Sequence, residues 1–258
     1  KAKFFKIDEG IFSSKIFSTK NKNYVGVKKF FRYGNKFAYN ASLKKKYEKK
    51  FLNYVSNIKN IKKKITDLKL KKKSICAMQI RNIPHFGHEA IFNFILSKFD
   101  ILVLNPIYGI KKKNDFSNKL ITKALRHIKK KYPRIKFLPL WSNFHYAGPR
   151  EALHHMSMRE KLCFDYFYIG RDHAGAENLY DPDAAARLAK KYKKSFKIKL
   201  CISKGGFYCR FCNDYVIKNT CNHNNLIDIS GTEFRMSFKN KKIYKHAELK
   251  MQKILFKI

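Results

Sequence analysis

Residues 79–89 read Gln-Ile-Arg-Asn-Ile-Pro-His-Phe-Gly-His-Glu, and the reading of this stretch decides the fold. It sits between two apolar runs, Ile75 to Ile80 and Ala90 to Phe99. A short apolar run, a turn carrying Pro84 and Gly87, and a longer apolar run describe a strand that ends, a chain that turns and a helix over 88–99. A helix starting there aims backbone N–H groups at whatever lies beyond the strand end, which favours an anion. The side chains agree: Arg81 supplies a fork of donors, Asn82 an amide, and His85 and His88 two imidazoles. Gly87 allows close approach of backbone to a ligand. Two histidines at a helix start are a weak signal alone; Gln79, Arg81 and Asn82 just upstream strengthen it.

Working outward, strands and helices alternate. Strands are expected at Ile101 to Leu104, Ile135 to Leu140, Tyr166 to Gly170 and Phe196 to Ile202. Helices are expected at 117–132, at 148–163 behind Gly148-Pro149, and at 182–194 with Asp181 as N-cap and Pro182 first. This alternation predicts an α/β fold with a parallel sheet and ligands at the carboxyl ends of its strands. Before it, residues 1–40 mix aromatics, Val and Gly with Lys, and Tyr24 to Val27 and Phe30-Phe31 read as short strands. Residues 41–73 read as a basic connecting helix. Three regions result: 1–73 with short strands and a linker helix, 74–203 as the alternating α/β unit, and 204–258 as a small, Cys-containing C-terminal region.

The chain has 258 residues, 45% of them hydrophobic, which excludes a disordered polybasic chain. The first residue is Lys1, so the expectation is an N-terminally incomplete sequence whose targeting segment cannot be judged. No uncharged apolar stretch is long enough to span a membrane; the best, 90–104, is broken by Lys98 and Asp100. A formal net charge of +40 invites a nucleic-acid reading. However, the lysine runs (44–50, 62–64, 71–73, 111–113, 129–131) form no single patch. Lys, Asn, Ile, Phe and Tyr, all abundant, share A/T-rich codons. Compositional bias is the favoured account, nucleic acid is not an expected partner, and the remaining consequence is attraction of anionic substrates. Of 58 basic residues only ten are Arg. Arg81, Arg150, Arg159, Arg171 and Arg235 fall in segments that look chemical, where a planar fork suits phosphate or sulfate better than a point charge.

Three further segments stand out. Gly170-Arg171-Asp172-His173-Ala174-Gly175 follows a predicted strand, with glycines that permit a tight anion-hugging loop. Ala147-Gly148-Pro149-Arg150-Glu151-Ala152 opens a helix and is, alone, no more than a capped start. Ile229-Ser230-Gly231-Thr232-Glu233-Phe234-Arg235 offers hydroxyls and a turn to phosphate oxygens. The His-x-Gly-His spacing at 85–88 is that of nucleotidyl-transferring enzymes.

Taken together and in this order, the four segments resemble those of the ATP sulfurylases (sulfate adenylyltransferases), prokaryotic type. That family carries Gln-Thr-Arg-Asn-Pro-x-His-x-x-His, Ala-Gly-Pro-Arg-Glu-Ala, Gly-Arg-Asp-His-Ala-Gly and Ile-Ser-Gly-Thr-x-x-Arg. Residues of about 24–50 resemble the end of its N-terminal domain, so the expectation is that this sequence lacks most of that domain. Ile83 stands in place of the family's Pro, and Phe86 in place of its usual basic residue. The resemblance implies a Rossmann-like nucleotidyltransferase sheet. It also implies adenylyl sulfate and pyrophosphate formed from ATP and sulfate with Mg²⁺ on the phosphates, a homo-oligomer, and a cytoplasmic setting. Residue by residue, it implies that Gln79, Arg81, Arg171 and the backbone of Ala174 bind sulfate. Asn82, His85 and His88 would hold the β- and γ-phosphates. Gln79, Gly170, Arg171, Asp172 and Ile229 to Thr232 (Ser230 and Gly231 included) would border the nucleotide. Arg81, Asn82, His85 and His88 form the catalytic set. Sulfate is fully ionised at neutral pH, so no general base is needed; positioning and charge neutralisation carry the reaction.

Cys209-x2-Cys212 and Cys221-x-His223 have the spacing of half a zinc ribbon, and members of the family carry such a site, so a structural Zn²⁺ is expected there. The alternative is free thiols; disulfides are not expected, because Cys76, Cys163 and Cys201 fall in or beside predicted core elements. His127, His145, His154, His155 and His246 are given no catalytic role. The rival readings are another His-x-Gly-His transferase with a different acceptor, a polybasic nucleic-acid-binding zinc protein, and a catalytically dead remnant.

Overall fold

A computed structural model describes residues 3–32, 37–40, 49–109, 115–175, 179–218 and 220–257. The lysine runs at 44–48 and 111–113 lie outside the described residues. In chain order the elements are β1 (Lys3–Lys6), α1 (Glu9–Phe17), α2 (Val25–Phe31), β2 (Phe37–Asn40), α3 (Lys49–Leu70) and β3 (Ile75–Ile80). Then come α4 (Phe86–Leu96), β4 (Ile101–Pro106), α5 (Asn118–Lys131), β5 (Ile135–Phe137), α6 (Pro149–Lys161), β6 (Tyr166–Ile169), α7 (Ala184–Tyr192) and β7 (Lys199–Ile202). The C-terminal elements are β8 (Gly206–Cys209), β9 (Asp214–Ile217), β10 (Leu226–Asp228), α8 (Gly231–Lys239) and α9 (Leu249–Leu255).

The central sheet is parallel, in the order β5-β4-β3-β6-β7. Its strands alternate faces with period two. Cys76, Met78 and Ile80 of β3, with Leu102 and Leu104 of β4, join the core beneath α4, α5 and α9. Ile75, Ala77, Ile101, Val103, Phe167 and Ile169 face the opposite core, shared with α3, α6 and α7. Helices cover both faces, which a fully buried parallel sheet requires. In α5, Ile121, Ala124, Leu125 and Ile128 form one apolar stripe, and Ser117 caps it by accepting from the Leu120 N–H at 3.2 Å. Ile58, Ile61, Ile65 and Leu68 do the same for α3.

The chain runs outward from β3 to β4 and β5, then crosses to β6 and β7 on the other side. The reversal falls between β3 and β6, and at such a switch point the loops leaving the two strands diverge and open a crevice. The C-terminal segment roofs it with a three-stranded antiparallel sheet in the order β10-β8-β9. The roof is seated by two glycines. A Cβ on Gly206 would lie 2.0 Å from the Gly87 carbonyl oxygen, and one on Gly87 would lie 3.1 Å from the Gly206 oxygen. Gly87 therefore serves a backbone-to-backbone contact between α4 and β8 as well as bordering the crevice.

Two expectations need correction. Tyr24–Val27 and Phe30–Phe31 are not strands. After the cap at Tyr24, Val25–Phe31 is helical, and Tyr24 and Val27 are buried with Phe17, Phe144 and Tyr146. Burial against the loop before α6 overrides β propensity there. The cap of α7 is Asp183, not Asp181; Asp181 Oδ1 instead accepts from the Asp183 N–H at 2.8 Å and from Arg187 at 3.0 Å.

Candidate active site

The crevice is a cavity of about 610 Å³, and every residue assigned to sulfate or nucleotide from the sequence lines it: Gln79 near the end of β3 with Arg81, Asn82, His85 and His88 beyond it, Gly170, Arg171, Asp172 and Ala174 after β6, and Ile229 to Thr232 (Ser230 and Gly231 included) where α8 begins. Arg81 and Arg171, ninety residues apart, share it. The Arg81 guanidinium reaches the Gly175 carbonyl oxygen at 3.4 Å and lies 6.0 Å from the Tyr146 ring centre. Arg171 lies 5.0 Å from the Phe207 ring centre and pairs with Asp228 at 2.8 Å, tying the loop after β6 to the end of β10. Asp228 gave no sequence signal; its role depends on the roof folding back.

The imidazoles sit at the start of α4 with ring centres 4.0 Å apart. The His85 N–H donates to His88 Nδ1 at 3.4 Å, so neutral His88 carries its proton on Nε2. Burial brings His88 down to about 4. His85 is held well below the usual value by burial first, then by His88 and His246. Both rings are uncharged at neutral pH, and His85 Nδ1 is buried without a partner among the described residues. Phe86 turns away, packing on Tyr215 with ring centres 4.8 Å apart.

The loop after β6 is strained, though not at its glycines. Asp172 (φ 50°) and Ala174 (φ 57°) are left-handed, while Gly170 and Gly175 lack positive φ. The glycines provide room: a Cβ on Gly175 would lie 1.9 Å from Asp172 Oδ1. Left-handed non-glycine residues persist only where surroundings over-determine them, and they concentrate at ligand loops. Part of that support comes from α6. His155 Nδ1 lies 3.0 Å from His173 Nε2, and His155 Nε2 lies 3.5 Å from Glu151 Oε1. Glu151 also accepts from the His145 and Ala147 N–H groups, at 2.9 and 3.0 Å. Burial alone would raise Glu151, but the His155 contact and these amides bring it to about 2. The Ala-Gly-Pro-Arg-Glu-Ala segment is thus more than a helix cap: its carboxylate pins the loop ahead of α6 and backs His173. Arg150, by contrast, points outward to Ser18 at 3.2 Å. His155, given no catalytic role in the sequence reading, is fully buried.

Both amide residues are gripped by arginines. Arg235 Nη1 donates to Asn82 Oδ1 at 2.8 Å, and Arg159 Nη2 donates to Gln79 Oε1 at 2.6 Å.

Away from the crevice, the ligand atoms of Cys209, Cys212, Cys221 and His223 all lie within 4.8 Å of one another. The sulfur pairs Cys209–Cys221 and Cys212–Cys221 are 3.5 and 3.7 Å apart, and His223 Nδ1 is 3.1 to 3.6 Å from the three sulfurs. A tetrahedral centre with about 2.3 Å metal–sulfur bonds has sulfur–sulfur edges of about 3.8 Å, so the donor set fits Zn²⁺. No disulfide involves any of the six cysteines. Among the described residues no helix is long and apolar enough to cross a membrane.

Residues 53–246 match the family model described as ATP-sulfurylase. The chain is 32% identical over 231 residues to the sulfate adenylyltransferase of Pyrococcus abyssi, covering 87% of this chain and 60% of the relative. It is 39% identical over 168 residues to that of Cenarchaeum symbiosum, covering 63% and 44%. The chain thus spans about three-fifths or less of these relatives. Among solved structures, a hexameric APS kinase from Thiobacillus denitrificans superposes with a TM-score of 0.56 at 16% identity, over 76% of this chain and 39% of that one, a likeness of fold.

Proposed function

The chain belongs to the ATP-sulfurylase family, and from that premise we propose that it carries the sulfate adenylyltransferase site, joining ATP and sulfate to give adenylyl sulfate and pyrophosphate, or running the reverse. The observation that carries this reading is the meeting of Arg81, Arg171, Gln79 and the His85–His88 pair around one cavity at the switch point.

In this reading Gln79, Arg81, Arg171 and the Ala174 backbone hold sulfate, and Asn82, His85 and His88 hold the β- and γ-phosphates. Gly170 to Asp172 and Ile229 to Thr232 border the nucleotide. A sulfate oxygen bonds to the α-phosphorus as the bond to the β-phosphate oxygen breaks in line, and the electron pair leaves with pyrophosphate. No proton moves, which agrees with the absence of a charged imidazole. Neutral His88 donates through Nε2, and the arginines offset the charge of two anions brought together. Mg²⁺ bound to the phosphates supplies further neutralisation. Zn²⁺ on Cys209, Cys212, Cys221 and His223 would hold the β8–β9 turn and the approach to β10, a structural role. The three regions read from the sequence (1–73, 74–203, 204–258), a homo-oligomer and a reducing cytoplasmic setting complete the proposal.

The test is sulfate-dependent exchange of labelled pyrophosphate into ATP, with molybdate as alternative acceptor. Arg81→Ala and His88→Ala are each expected to lower turnover at least a hundredfold with unchanged circular dichroism, in keeping with the loss of an anion-stabilising donor. Near-normal rates in either variant refute the site. One zinc per chain by elemental analysis is expected of anaerobically purified protein; less counts against the metal.

A further inference from the structure

Arg159 is among the most deeply buried side chains of the molecule, at 0% exposure, and no carboxylate among the described residues lies within ion-pair reach. Its neighbours are the Phe167 ring, with the guanidinium carbon 5.2 Å from the ring centre, and the carboxamide of Gln79 at 2.6 Å. Burying a cation without a counter-ion costs several kcal/mol in typical proteins, so packing alone is a poor account of it. Chemistry fixes what it does to Gln79. Arginine only donates, so the carboxamide atom facing it must be the oxygen. Nε2 therefore points the other way, and it is buried with no acceptor. The residue carrying this orphan donor lines the cavity. The device occurs twice, because Arg235 takes the oxygen of Asn82 in the same manner.

We infer that Arg159 is a positioning residue: it locks the Gln79 carboxamide so that only its NH₂ is offered to the cavity, making that wall a donor surface for a fully ionised oxyanion. The inference rests on the sulfate site proposed above. It also explains the missing counter-ion, since an arriving dianion offsets the buried charge. With the lock released, the carboxamide can turn its oxygen towards the anion, and repulsion replaces attraction.

The experiment is steady-state kinetics of the full chain with each substrate varied. Arg159→Met keeps length and removes the fork. The KM for sulfate is expected to rise at least tenfold while the KM for ATP stays within twofold. Gln79→Met is expected to give a similar loss, and the double variant no more than twofold beyond it. Arg159→Lys, which keeps one donor and the charge, is expected to recover part of the sulfate KM. If Arg159→Met does not fold, the same cycle run with Arg159→Lys carries the test. An equal rise in both KM values, or losses that multiply in the double variant, overturns the inference while leaving the functional reading intact. No sulfate-dependent exchange in the unsubstituted protein overturns both.

Discussion

His155 shows what a single buried group contributes. Burial first, then the neighbouring Arg159 and His154, lower it to about 4 against the pull of Glu151. In the unfolded chain it takes its proton near 6.5. The unfolded state therefore binds more protons between these values, and stability present above pH 6.5 is lost as pH falls towards 4. A displacement of this size amounts to about 3 kcal/mol. Denaturant unfolding at a series of pH values is expected to show this slope, and His155→Gln to lower it by up to one proton; an unchanged slope would sink the account. Glu151, brought to about 2, adds a second loss of the same sign below pH 4.5. At this scale the sequence was legible where a residue acts through its own type and spacing: Gln79, Arg81, Asn82, His85 and His88 all line the crevice. It was silent on partners. Nothing in the local sequence around His155 or Asp228 says that His173 or Arg171 will arrive from elsewhere in the chain.

Among the elements, the sheet and its helices were readable because β3, β4 and β6 are short apolar runs and helices such as α3 and α5 carry one apolar stripe. Tyr24 to Phe31 was misread for a physical reason: aromatic and β-branched residues fit a helix when its buried face is offered the Phe17, Phe144 and Tyr146 side chains. The Gly87–Gly206 seat between α4 and β8 was also hidden, since only the folded roof brings the two together. Gly206→Ala places a methyl 2.0 Å from a carbonyl oxygen that cannot step aside without moving α4. A cost of about 1–3 kcal/mol is expected for forcing atoms into a filled space, lowering Tm by several degrees. Thermal unfolding by circular dichroism checks it, with Gly10→Ala, whose Cβ meets nothing closer than 3.4 Å, as the control. Equal melting points for both variants would remove the seat from the argument.

Across the whole molecule, a formal charge of +40 surrounds a site proposed to gather two anions, ATP and sulfate. Long-range attraction of this kind acts on encounter rates and fades with screening. Raising KCl from 0.05 to about 0.5 M shortens the screening length from roughly 14 to 4 Å and is expected to lower kcat/KM for ATP several-fold with kcat less affected. A salt-independent kcat/KM would leave the charge as compositional bias alone. The two ends of the roof differ in kind. At Gly87 and Gly206 main chain rests on main chain, and there is nothing to swing. At Arg171 the closure is made by side chains alone, an ion pair to Asp228, whose carboxylate is 65% exposed, and the Phe207 ring 5.0 Å away. The two ends therefore differ mechanically: the glycine side is welded, and only the charged side can part without moving main chain.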